Sequence, residues 1–193
     1  RHLAFNEPAL FNTADYIEPL RRIVSHERFE ELPHALHAGV TAMLAGEFRV
    51  IDSGPLWPIV LASAAFPVVF SRIEVDGELY MDGGIMDNFI PEVHQDRCDL
   101  IIGSDVDPIS TVEKADLGSI RRVFERVMNL HCTAEIEQKR SLCKVVIAPP
   151  EMGNYGLFQT KAMREIFQLG YEAALDVMPT IEALVSDRTD SQE

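Results

Sequence analysis

The spacing of apolar residues along this chain changes period several times, and each change marks a predicted element. From Leu10 to Val24, "YIEPLRRIV" gives helical spacing behind Asn12, Thr13 and Asp15 as candidate caps, with Pro19 inside the stretch. "HALHAGVTAML" reads as a strand, Ala45-Gly46 as a turn, and "EFRVI" as a returning strand ended by "DSGP". Leu56 to Ala65 is an apolar helix that Pro67 stops. In "RIEVDGELYM", Asp76-Gly77 separates two alternating runs, a strong hairpin signal.

The second half is more helical. A short helix is expected after Pro91, then a buried parallel strand at Leu100, Ile101 and Ile102. Ser119 to Leu142 is amphipathic, with Ile120, Val123, Phe124, Val127 and Met128 at helical spacing. "KVVIAPP" is a further short strand, and Lys161 to Leu184 a closing helix interrupted by Gly170. Strands alternating with helices predict an α/β fold with a mainly parallel sheet, in one domain without repeats or linkers.

Composition narrows the classes of partner. At 193 residues, 47% hydrophobic and 25% charged, the chain can bury an ordinary core. A net charge of −14 without a basic cluster argues against nucleic acid or anionic bilayers as charge-driven partners. Any membrane contact is expected to be transient and apolar. Cys98, Cys132 and Cys143 form no C-x-x-C, which favours reduced thiols and a cytoplasmic setting. On a strand, His34 and His37 would point to opposite faces, so no metal site is expected, and no G-x-G-x-x-G calls for a nucleotide cofactor. The longest apolar run, "PIVLASAAFPVVF", is broken by Pro67 and too short to span a bilayer. The chain opens on "RHLAFNEPALF" without an initiator methionine or signal peptide and reads as the middle of something longer.

The candidate chemistry sits in "VDGELYMDGGIMDNFIP". Asp82 follows an apolar strand, where α/β sheets gather their reactive groups. A carboxylate there is an orienting group or a general base. Gly83 and Gly84 allow positive φ and close approach of another segment, and present two uncovered backbone N–H groups to the acid. The alternative is a tight turn in which Asp82 makes an Asx-type bond to its own backbone. Met81, Met86 and Phe89 around the acid, and Trp57, are either an apolar acyl site or ordinary packing.

Five pieces in register give this chain a family resemblance. "FEEL" (29–32), Ala62-Ser63-Ala64-Ala65-Phe66-Pro67, Asp76-Gly77, Asp82-Gly83-Gly84 with Asn88-Phe89-Ile90-Pro91, and "CDLIIGSDVDP" (98–108) stand in the order found in the second half of the patatin-like phospholipases. "FQLGYEAAL" resembles a late stretch of the bacterial members, so the likeness runs from about Leu10 to Leu184. It implies a three-layer fold, a doubly wound and mainly parallel sheet flanked by helices. Residues 1–186 would be the C-terminal portion of one acyl hydrolase domain and 187–193 a disordered tail.

The resemblance also implies a serine–aspartate dyad acting on a lipid or fatty-acyl ester without a cofactor, with Asp82 at the aspartate position. No G-x-S-x-G and no glycine-rich oxyanion loop stand in the 193 residues. Ser104 ends a predicted strand but is followed by Asp105 and not by x-G; Ser63 falls at a helix end, where packing suits it better than attack. The expectation is that the nucleophile lies upstream of Arg1 and that these residues alone do not turn over. A non-catalytic binding or scaffold module on the same fold is the alternative.

Overall fold

A computed structural model describes residues 9–106, 108, 111–156 and 159–189. They form two compact units, divided between Asn88 and Phe89.

The first unit is built on a four-stranded sheet of order β2-β1-β4-β3, from β1 (Ala38–Ala42), β2 (Glu47–Ile51), β3 (Ile73–Val75) and β4 (Glu78–Asp82). All three pairings are antiparallel, with Ala38 opposite Ile51, Val40 opposite Asp82 and Ile73 opposite Tyr80. The mainly parallel sheet expected from sequence is therefore not what this unit contains. Both predicted hairpins form, and hairpins join antiparallel neighbours. At the second, Asp76 and Gly77 take φ of 52° and 80°, the left-handed pair a two-residue turn of this hand requires.

Alternation along β1 turns Ala38, Val40 and Ala42 to one face, where Leu56, Trp57, Ile59 and Ala62 of α2 (Leu56–Ser63) complete the core with Phe29, Ile73 and Tyr80. Because α2 packs against the sheet and also against the segment 13–21, it is apolar nearly all round. Its start is held from outside: Leu56 N–H donates to Glu27 O at 2.9 Å, and the Glu30 carboxylate accepts from Gly54 N–H at 3.1 Å. The helix expected over Leu10–Val24 is shorter, a 3₁₀ turn at Thr13–Tyr16 followed by α1 (Ile17–Arg21). Pro19 accounts for the break, since its ring would meet the Asp15 carbonyl of a continuous α-helix. Of the candidate caps, Asn12 serves, accepting from Ala14 N–H at 3.2 Å.

The second unit holds a two-stranded parallel pair, β5 (Ile102–Ser104) and β6 (Val145–Ile147), with α3 (Ile120–Arg140) and α4 (Met163–Thr189). The strand expected at Leu100–Ile102 starts two residues later, and Ile102 is 43% exposed, not buried. Gly103 is the buried residue of β5; a side chain there would strike the Phe89 ring at 2.7 Å. Arg140, at the end of α3, donates to the buried Asp105 carboxylate at 2.5 Å and ties that helix to the end of β5. Gly170 lies within α4 without interrupting it, and the helix runs on through 187–189 of the predicted tail; 190–193 lie outside the described residues.

Candidate active site

Asp82 is the last residue of β4. The chain then leaves the sheet in a 3₁₀ turn, Gly83–Ile85, closed by Met86 and Asp87 N–H groups donating to Gly83 O at 2.9 and 2.8 Å. Three contacts fix the aspartate, two through its backbone and one through its carboxylate. Its N–H donates to Ala65 O at 3.3 Å, and its C=O accepts from the Thr41 hydroxyl at 2.8 Å. Its own Oδ1 accepts from Gly84 N–H at 2.8 Å. The Asp82–Gly84 bond is the Asx-type bond weighed from sequence, so turn and oriented carboxylate are one arrangement. Among the described residues no donor reaches Oδ2.

The glycines serve close approach, not unusual dihedrals. Positive φ is found at Gly46, Gly54 and Gly77 but at neither Gly83 nor Gly84, which corrects that expectation. A Cβ on Gly83 would lie 2.6 Å from the Gly39 carbonyl carbon, so the β1 backbone passes against this turn because position 83 carries no side chain. A Cβ on Gly84 would sit 3.2 Å from Asp82 Oδ1 and 3.4 Å from Asn88 Cβ, where the Asn88-x-x-Pro91 stretch begins.

Burial pushes the Asp82 carboxyl above the ordinary aspartate range, and the Gly84 N–H pulls it partly back. No charged side chain among the described residues contributes to either effect. The result is a half-buried acid with one oxygen held and the other open to accept a proton.

Other sequence candidates fall elsewhere. Met81 is buried, but it pairs with Thr41 and so faces away from the Asp82 carboxylate; Met86 is 40% exposed. Phe89 packs on Gly103 in the second unit, and Trp57 belongs to the core. Ser63 closes α2, and Ser104, exposed at the end of β5, enters no strand–turn–helix elbow among the described residues. Thr41 and the Ala65 carbonyl went unread in the sequence. The available signal for Thr41 was one hydroxyl inside the apolar "AGVTA".

A carboxylate at a strand end, backed by glycines and tied to the end of an apolar helix, defines the class of site. Residues 1–93 match the family model of the patatin-like phospholipases. Relatives from Mycobacterium tuberculosis and Mycobacterium bovis, each named an uncharacterized NTE family protein, are 41% identical over 71 residues. That segment is 37% of this chain and spans about a fifth, 20%, of each relative. The match ends at Val93, short of Leu184, where the likeness expected from the motifs ended. No helix among the described residues is long and apolar enough to cross a membrane.

Proposed function

We propose that this chain carries the aspartate half of a serine–aspartate dyad in a lipid acyl hydrolase. Asp82 acts as general base through Oδ2, and the nucleophilic serine and oxyanion loop come from a segment upstream of Arg1. Within the three-layer fold, Gly83 and Gly84 support the acid. The observation that carries the reading is the Asp82 carboxylate itself: backbone fixed at both ends, Oδ1 held by Gly84 N–H, Oδ2 without a donor among the described residues. A base beside a hydroxyl nucleophile needs this, a fixed direction and one free lone pair.

The substrate class is a lipid or fatty-acyl ester. The expected setting is cytoplasmic, with passing contact to a lipid surface. In the complete protein, Asp82→Asn should lower hydrolysis of a fatty-acyl p-nitrophenyl ester by at least about 10²-fold, the value of a positioned base. Wild-type turnover in that variant would sink the proposal. The absence of any G-x-S-x-G in the 193 residues favours a second reading, a binding or scaffold module. Alanine or glycine at the upstream nucleophile position would establish that reading instead.

A further inference from the structure

We infer that Thr41 is a positioning residue for the Asp82 carboxylate, acting through the Asp82 carbonyl. The inference rests on the reading of Asp82 as the general base. Thr41 is 5% exposed on the central strand β1, between Val40 and Ala42, which are fully buried. Strand formation does not ask for a hydroxyl there. Valine has the same shape, and burying an alcohol is unfavourable unless it is bonded.

The bond it makes is to the carbonyl of Asp82, at 2.8 Å. That carbonyl stands where the ladder between β1 and β4 ends, since Val40–Asp82 is the last pair before the chain turns into Gly83–Ile85. The Thr41 hydroxyl sets the plane of the 82–83 peptide and hence the place to which the chain delivers Gly84 N–H. Gly84 N–H in turn holds Oδ1.

Register also gives Thr41 the right side. It lies opposite Met81, so its side chain projects from the face away from the carboxylate and does not obstruct an approaching alcohol. Without it, the chain near Asp82 keeps the longer bond from Asp82 N–H to Ala65 O, 3.3 Å, just beyond α2, and the packing of Gly83 on Gly39.

The test is kinetic, in the complete protein, with the same acyl ester. Thr41→Val should cut kcat about tenfold, between no effect and the roughly 10²-fold that a misplacement of about 1 Å can cost, with KM within about twofold. It should also move the acid limb of the kcat/KM profile upward, because a loosened turn weakens the Gly84 bond that holds the carboxyl pKa down. Among the described residues two influences act on that carboxyl, burial and Gly84 N–H, and neither is a neighbouring charge. Thr41→Ser should restore kcat to within about threefold and return the profile, since the donor is back.

Equal losses in Val and Ser variants, or a loss uniform across pH, would make Thr41 a packing residue and overturn the inference. So would wild-type behaviour of Thr41→Val. If Thr41→Val does not fold, Thr41→Cys takes its place against Thr41→Ser, since the thiol has similar bulk but donates weakly. Asp82→Asn, run alongside, separates the two claims: activity surviving there removes the base and with it the role of Thr41, whereas activity lost there with Thr41→Val unimpaired removes Thr41 alone.

Discussion

With Asp82 as the proposed general base, activity and stability should respond to pH in opposite directions. Burial raises the folded carboxyl pKa above its value in the unfolded chain, so the folded state holds the proton more tightly. Stability from this group therefore increases as pH falls through the folded pKa towards the unfolded value near about 3.9, and is lost as pH rises back through the same window. A general base works only when ionised, so hydrolysis should fade as pH drops through that raised pKa. Asp82→Asn separates the two. Its Oδ1 still accepts from Gly84 N–H, and the cost of burying a charge is gone. At pH 7 the thermal midpoint of the variant should match or exceed that of the wild type by up to about 2–4 °C, what ~1 kcal/mol is worth in a chain of this size. The difference should shrink as pH falls through the folded pKa and vanish below about 3, where both side chains are neutral in both states. A variant markedly less stable than wild type at pH 7 would mean the carboxylate is held by attractions absent from this geometry.

Between elements, the two glycines after Asp82 have different jobs, and substitution should show it. Gly83→Ala brings a methyl against the Gly39 backbone, which the β1–β2 and β1–β4 ladders hold in place. It should cost about 1–3 kcal/mol, the range for forcing atoms into a packed site, measured by chemical denaturation. Gly84→Ala meets the movable Asp82 carboxylate at 3.2 Å, so its effect should appear in turnover with little change in stability. Equal stability losses would refute this division. Local chemistry made the hairpins legible: Asp76-Gly77 carries its own φ requirement, and "EFRVI" became β2 residue for residue. Asp82 was legible for the same reason, as an acid and two glycines after a strand. Thr41 was not, because its partner lies 41 positions away and only the β1–β4 register brings them together. Nor could the sequence distinguish a glycine needed for positive φ from one needed for close approach. At Gly83 the obstacle is Gly39, on another strand.

Over the molecule as a whole, the helices of the second unit carry more apolar surface than that unit covers. Ile120, Val123, Val127 and Leu130 recur at three- and four-residue spacing on α3, all exposed, Ile120 at 91%. On α4, Met163, Phe167, Tyr171 and Leu175 recur every four residues, again exposed, with the Phe167 and Tyr171 rings stacked 6.1 Å apart. Such spacing describes the face a helix turns inward, and a contiguous apolar stripe open to water favours association. Opposing it is the net charge of −14, which makes copies repel. The balance is set by salt, because raising ionic strength from about 0.01 to about 1 M shrinks the Debye length from about 30 to about 3 Å without weakening apolar contact. Produced alone, these 193 residues should bind a hydrophobic dye such as ANS at low salt and self-associate as salt is added, followed by sedimentation velocity. Replacing Phe167 and Tyr171 by glutamate should suppress both, because it interrupts the α4 stripe and adds to the repulsion. Monomers at every salt concentration, with no dye bound, would show that these stripes are too thinly spread to draw a partner.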